Sequence, residues 1–314
     1  MLGHITDPSA ADGLARRELP EPRPGEHDVV LEVAAYAVNR GELVLLRQRP
    51  DGFTPGQDVA GVVRAAAADG SGPPVATRVV GIADRGGWSE RATVPSHRVA
   101  ALPDGVSFAE AASLPVAGLT ALRALRTGGP LLGRRVLVTG ASGGVGSFAV
   151  QLARIAGAVV TAHVSGPSRV EQARALGPAE VITTIGEDSG PFDLVLDAVG
   201  GPVLTGAVRR LAPGGLLTAY GLASGQRSDI AFSDFRAAAP GGRLQGFFIY
   251  STGEETFGED LGTLAGLVAD GRLSPRLGVV RDWSQTTEAV AALRARQVAG
   301  KVVLTVPDGG PGRP

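Results

Sequence analysis

The segment Val136-Leu137-Val138-Thr139-Gly140-Ala141-Ser142-Gly143-Gly144-Val145-Gly146 constrains this chain more than any other stretch. An apolar run of strand character leads directly into clustered glycines, and residues 144–156 then have helical composition. Glycine is needed where the backbone turns sharply and where a phosphate must come close to it. A helix that starts just after such a turn offers unpaired N–H groups and the positive end of its dipole to an anion. A glycine pattern alone is common. Between a strand and a helix, with a second strand following at the right distance, it predicts a dinucleotide site. Gly140, Ser142, Gly143, Gly144, Val145 and Gly146 are its candidate cofactor residues.

The chain around this turn alternates. Strand-like runs fall at 136–139, 159–164, 180–182, 194–197, 215–220 and 243–250, with helical stretches at 144–156, 167–176 and 202–211. Such alternation predicts an α/β fold whose parallel sheet carries helices on both faces, the doubly wound Rossmann arrangement. The first hundred residues differ: short runs at 29–36, 59–65, 78–82 and 91–95, separated by Gly and Pro, predict a mostly β unit. A helix is expected over 108–125. A helix at 260–269, a strand at 277–280, a helix at 286–296 and a strand at 302–306 are expected to return and complete the β unit, with 307–314 as a frayed end. At 314 residues the chain is long enough for two cores.

Composition removes several functions. There is no cysteine, so disulfides, thiolate zinc sites, iron–sulfur clusters and cysteine nucleophiles are out. The formal charge of -1 gives no electrostatic reason to expect nucleic acid or an anionic membrane as partner. No run reaches the roughly 18 apolar residues of a membrane helix, and the first residues lack the basic-then-apolar pattern of a signal peptide. The expected location is the cytoplasm and the expected partner a small molecule.

Sites that prefer NAD usually place an Asp or Glu about 20 residues after the first glycine, where it holds the ribose 2′-hydroxyl. The second strand here ends in Ala162-His163-Val164-Ser165-Gly166-Pro167-Ser168-Arg169, and no carboxylate occurs from 159 to 170. Ser165, Ser168 and Arg169 offer hydroxyls and a guanidinium near a helix start, which suits a 2′-phosphate. NADPH is the expected cofactor, the alternative for Arg169 being an ordinary solvated helix residue.

Several further segments, in order, resemble the medium-chain dehydrogenase/reductase superfamily in its zinc-free quinone oxidoreductase branch. They are Val38-Asn39-Arg40, Pro55-Gly56-Gln57-Asp58-Val59-Ala60-Gly61, Gly86-Gly87-Trp88-Ser89-Glu90, Gly118-Leu119-Thr120-Ala121, Asp197-Ala198-Val199-Gly200-Gly201 and Gly300-Lys301-Val302-Val303-Leu304. The resemblance implies a GroES-like β domain from 1–114 and 251–314, a Rossmann domain over 115–250, and a homodimer joined through 243–250. Zinc-dependent members have Gly-His-Glu where this chain has Gly56-Gln57-Asp58. With the ligating histidine and the cysteines missing, no metal is expected. His4, His27, His97 and His163 have no ligand-like spacing.

By the same resemblance Asn39 and Thr120 should line the nicotinamide–substrate region, Asn39 as a donor to a developing oxyanion or a holder of the nicotinamide ribose. Arg40 follows Asn39 where related enoyl reductases often carry a tyrosine, and is a candidate for countering oxyanion charge or for a salt bridge. Ala198, Val199, Tyr220, Gly221, Phe247, Phe248 and Ile249 are expected beside the cofactor. Lys301 is open to two roles, a phosphate contact or a structural ion pair. Tyr36, Leu43, Leu46, Phe53, Trp88 and Tyr250 could supply an apolar cleft. The implied chemistry is hydride transfer to a quinone or an α,β-unsaturated carbonyl. Its alternatives are a free-standing enoyl reductase and a binding protein or cyclase whose dinucleotide stays idle.

Overall fold

The structure, a computed structural model, describes residues 1–10 and 12–307, without the side chains of 237 and 238. Residues 308–314 of the expected frayed end lie outside it. Its contacts divide the chain into two units, Met1–Leu119 with the chain from Gly253 onward, and Thr120–Thr252.

The second unit is built on six parallel strands. Their order across the sheet is Glu180–Ile182, Val159–His163, Arg135–Thr139, Phe192–Asp197, Leu211–Ala219 and Arg243–Gly246. The central strands are apolar on both faces, as a parallel sheet covered on both sides requires. Leu137, Val195 and Leu217 pack with Leu204, Ala207 and Val208 of the helix Gly201–Val208. Val136 and Val138, which point the other way, are equally buried.

The first unit holds a mixed seven-stranded sheet. Leu277–Asp282 runs parallel to Lys301–Thr305, which pairs antiparallel with Asp28–Val38; Asp58–Ala65, Arg78–Ile82 and Val99–Ala101 follow, and Arg91–Pro95 also pairs with Asp28–Val38. A hairpin of Leu2–Thr6 and Leu14–Glu18, absent from the sequence reading, forms its own two-stranded sheet and is bridged to Ser89 through Gly3.

Several expected elements are corrected. The helix over 108–125 is two helices, Phe108–Ala112 and Pro115–Arg126. Pro115 cannot supply the N–H that would continue the first helix, but it suits the start of the second. Pro167–Arg169 is a single tight turn, and the helix proper is only Val170–Arg174. The helix expected over 202–211 ends at Val208, and Leu211 already belongs to the next strand. The strand over 243–250 stops at Gly246, level with the end of its partner strand at Ala219, and Ile249–Ser251 turns away. The helix Phe232–Ala238 was not anticipated.

Tyr36 and Trp88 lie at the centre of the first unit's core, their rings stacked 6.0 Å apart. The Tyr36 hydroxyl meets Thr286 Oγ1 at 2.6 Å. These two, with Leu43 and Leu46, are core residues rather than the walls of a broad cleft. Beside them His4 is 5% exposed, and burial lowers its pKa to about 4. The unfolded chain takes up this proton near pH 6.5 and the folded one does not, so stability is whole above pH 6.5 and falls as pH drops toward 4. Replacing His4 with Phe should remove about 3 kcal/mol of that acid-side loss. Urea unfolding at pH 7 and pH 4.5 checks this; an unchanged pH dependence would count against it.

Candidate active site

In the second unit the glycine turn has the form the sequence implied. Gly140 adopts φ +63°, and Gly143 caps the helix Gly144–Ile155 with extended backbone and no side-chain cap. A Cβ on Gly146 would stand 2.3 Å from Gly140 O and 2.8 Å from Ala141 Cα, so helix and turn meet there backbone to backbone. The first N–H groups of such a helix lack intrahelical partners. Across from the turn, Gly140 faces Ala198 and Val199, and a Cβ on Gly221 would stand 2.7 Å from Ala198 O. The turn, Ala198, Val199, Tyr220 and Gly221 therefore gather at the carboxyl ends of three adjacent strands.

A buried network fixes these loops. Thr139 Oγ1 donates to Asp197 Oδ1 (2.6 Å) and accepts the Ala198 N–H (3.1 Å), while Asp197 Oδ2 accepts the Gly200 N–H (2.8 Å). Asp197 is fully buried, and burial raises its pKa. Asp197 is therefore a structural acceptor, and Ala198 and Val199 supply backbone to the rim of the turn.

Two polar atoms here are buried with no hydrogen-bond partner among the described residues, the Tyr220 hydroxyl and His163 Nδ1. Orphaned buried groups are uncommon in a finished interior. The open glycine cradle and the orphaned Tyr220 hydroxyl fit a dinucleotide. Ser165 and Ser168 are exposed and Arg169 half-buried, at the end of the second strand. Phe247 donates its N–H to Ala219 O (2.8 Å). Phe248 is exposed and Ile249 buried, so their side chains do not share one surface. Thr120 is buried within the helix Pro115–Arg126.

In the first unit, Asn39 and Lys301 come together. Lys301 Nζ donates to Asn39 Oδ1 (2.5 Å) and to Asp58 Oδ2 (2.9 Å). Asn39 Nδ2 donates to Asp58 Oδ2 (2.9 Å) and Glu42 Oε2 (3.1 Å). Asp58 Oδ1 accepts the Val116 N–H (2.9 Å); Glu42 accepts the N–H groups of Asn39 (2.8 Å) and Gln57 (3.0 Å). An amide nitrogen has two hydrogens, and both are spent on carboxylates. The oxyanion-donor role expected of Asn39 therefore gives way to that of an acceptor, through the remaining lone pair of Oδ1. Of the two roles open to Lys301, the geometry shows the ion pair: the side chain is 3% exposed. Arg40 is exposed on the first turn of the helix Arg40–Leu46 and does not share this burial.

Glu42 escaped the sequence reading. It is 5% exposed, and burial, reinforced by the charge of Asp58, pushes its pKa up to about 8 against the pull of the Asn39 hydrogen bonds and Lys301. Asn39-x-x-Glu42 has the spacing of a helix-capping pair, and that signal could have found it. Among the described residues no group of three or more His, Cys, Asp or Glu could hold a metal ion, and no helix is long and apolar enough to cross a membrane.

A parallel six-stranded sheet with a glycine turn opening a helix at its first strand, in a chain that also carries a separate mixed β-sheet, defines a dinucleotide-binding type of α/β fold. Comparison with known proteins narrows this. A family model described as zinc-binding dehydrogenase matches residues 144–265, a stretch that excludes Gln57 and Asp58. The synaptic vesicle membrane protein VAT-1 homolog of Rattus norvegicus is 30% identical over 322 residues, covering 93% of this chain and 80% of that protein. Polyketide synthase GfsB of Streptomyces halstedii is 33% identical over 290 residues, 90% of this chain. The chain spans only 5% of that synthase, and 8% to 13% of three similar synthases. Trans-enoyl reductase tazE of Aspergillus terreus is 36% identical over 61% of this chain and 71% of its own. Among solved structures, mycobacterial Rv1454c complexed with NADPH superposes with a TM-score of 0.85 at 26% identity, covering 97% of this chain and 100% of that one. The Pseudomonas syringae pv. Tomato DC3000 quinone oxidoreductase gives 0.83 at 26% identity, with the same coverage. The chain belongs to the zinc-independent medium-chain dehydrogenase/reductase family.

Proposed function

We propose that the protein is an NADPH-dependent reductase of quinones or of C=C bonds conjugated to a carbonyl. The observation that carries the cofactor is the end of the second strand, where Ser165, Ser168 and Arg169 stand and no carboxylate occurs from 159 to 170. The N–H groups at 144–146 hold the pyrophosphate at the helix start, Ser165, Ser168 and Arg169 hold the 2′-phosphate, and the Tyr220 hydroxyl gains a partner when the site is filled. The reduced nicotinamide, when bound, supplies a hydride. Conjugated and quinonoid acceptors are already polarised, which suits a chain with glutamine at the position of the zinc-binding histidine. The NADPH complex of the mycobacterial relative and the quinone oxidoreductase from Pseudomonas support this reading.

The second reading, an enoyl reductase of a biosynthetic pathway, is favoured by the synthase relatives and by tazE. Loss of reduced-nicotinamide absorbance with benzoquinone, simple enones and crotonyl thioester, each tested with NADPH and NADH, separates the two. Turnover of quinones or free enones with NADPH supports the first, and thioester-only turnover supports the second. NADPH binding without turnover of any acceptor returns the protein to the idle-dinucleotide reading.

Arg169→Ala should raise the KM for NADPH about tenfold and leave that for NADH unchanged, as expected on losing one charge-assisted phosphate contact. Equal effects on both cofactors would remove Arg169 from the phosphate site.

A further inference from the structure

His163 Nδ1 is a buried nitrogen with no hydrogen-bond partner among the described residues. His163 closes the strand Val159–His163 and is 5% exposed. Its ring has one polar partner, the backbone of Thr183, and that bond favours a hydrogen on the ring, so the ring donates and the carbonyl accepts. With Nδ1 unpartnered, the donor is Nε2. An imidazole is ordinarily mostly neutral at pH 7, and burial away from any carboxylate keeps it so. A neutral imidazole has one donor nitrogen and one acceptor. Nδ1 is therefore a bare acceptor in the interior, which is an uncommon state for a buried polar atom.

The surroundings leave one direction for the hydrogen it would accept. In register across the sheet stand Thr139 on one side and Ile182 on the other, so the three side chains share a face. Thr139 Oγ1 gives its hydrogen to Asp197, and Ile182 has none to give. Lower on the same face Thr161 Oγ1 donates to Glu180 (3.5 Å), and Leu204, Ala207 and Val208 pack with Leu137. What remains is the carboxyl end of the strand. There the His163 carbonyl accepts the Ala141 N–H of the glycine turn (3.0 Å), and the exposed Ser165 follows two residues on. His163 thus stands at the rim, between the glycine turn and Ser165.

In a dinucleotide site that is the place of the adenosine ribose, whose hydroxyl is ordinarily received by a carboxylate about 20 positions after the first glycine. No carboxylate occurs from 159 to 170, so the acceptor's role there is open. A 2′-phosphate does not fill it, being largely a dianion at neutral pH with no hydrogen to give. A carboxylate beside that phosphate would repel it, whereas a neutral nitrogen accepts a hydroxyl hydrogen without adding charge. The ribose 3′-hydroxyl is such a donor, and NADPH and NADH both carry it.

We propose that His163 is a cofactor-binding residue whose Nδ1 accepts the hydrogen bond of the adenosine 3′-hydroxyl, in place of the carboxylate that this strand lacks. The inference rests on the dinucleotide-binding part of the reading above and needs no turnover. It divides two tasks among neighbouring residues: Arg169 and the two serines meet the 2′-phosphate, and His163 meets the sugar. His163→Phe keeps a ring and loses the acceptor, so it should weaken NADPH and NADH alike, about tenfold each. Arg169→Ala, by contrast, should weaken NADPH alone. His163→Asn, which offers an amide oxygen near the place of Nδ1, should recover most of the loss.

Nitrogen NMR of the imidazoles in the whole wild-type protein reads the bond directly. The chain has four histidines, and the His163 signals are those that His163→Phe or His163→Asn lacks. Without cofactor, Nδ1 should have the shift of a bare, unprotonated nitrogen, and saturating NADPH should move it toward the hydrogen-bonded position. Fluorescence titration then identifies the donor. The 3′-deoxyadenosine analogue of NADPH should bind the wild type about tenfold more weakly than NADPH does, and should bind His163→Phe as well as NADPH does. The hypoxanthine analogue, which lacks the adenine amino group, should lose as much affinity as NADPH on passing from wild type to His163→Phe. If the hypoxanthine analogue loses nothing on that passage and the 3′-deoxy analogue loses the full factor, the donor is the adenine amine and the ribose assignment is overturned. An Nδ1 signal unmoved by saturating NADPH, or wild-type affinity for both cofactors in His163→Phe, would overturn the proposal outright. A wild type that binds neither NADPH nor NADH would instead overturn the dinucleotide reading, and this contact with it.

Discussion

Gly146→Ala should lower stability by about 3 kcal/mol and weaken NADPH binding by at least about 100-fold. In most helices the same change stabilises, because alanine restricts the unfolded chain and favours helix. Here the added methyl would meet Gly140 O at 2.3 Å and Ala141 Cα at 2.8 Å. Both are backbone atoms of the turn and cannot swing aside as a side chain would. Relief requires the helix start to move away from the strand, which displaces the N–H groups assigned to the pyrophosphate. Gly266→Ala, inside the helix Phe257–Ala269, is the control, since a Cβ there meets nothing within 4 Å. Urea unfolding and a fluorescence titration with NADPH read the two effects. Stability and affinity equal to the wild type would mean that helix and turn are not in this close contact.

Lys301→Met should cost 3–5 kcal/mol by about the usual cost of stranding one buried charge. Asp58 is fully buried and has Lys301 as its ammonium partner at 2.9 Å. Removing the lysine leaves two carboxyls and no cation, and takes from Asn39 Oδ1 the donor that orients its amide. Adding Asp58→Asn to Lys301→Met should recover more than half of the loss, because the stranded charge goes with it. A double-mutant cycle by urea unfolding measures this coupling. Additive losses would show that the pair does not act as a unit.

The two regions differ in how far they could be read in advance. The turn around Gly140 was legible because its requirements are local: an apolar strand, glycines where the chain must bend, and a helix directly after. The limits of neighbouring elements were less so. Pro115 splits one expected helix, and the strand from Arg243 ends where its partner ends rather than where its β-formers do. Asn39 and Lys301 were both singled out, but with their roles turned the wrong way or left open, since hydrogen-bond capacity is used up by partners that residue type does not reveal.

By itself the sequence determined the chain order of the six strands of the second unit, the glycine turn and the lack of a carboxylate after the second strand, all of which depend on residues a few positions apart. Only the tertiary structure decided which partners the buried polar groups of the first unit have. Lys301 reaches Asp58 across 243 positions, and the strand Lys301–Thr305 must pair with Asp28–Val38 before the three charges share one interior. Burial then turns an ordinary capping glutamate into a carboxyl that is raised to about 8. The physical reason is desolvation, which depends on everything packed around a group and not on its neighbours in the chain.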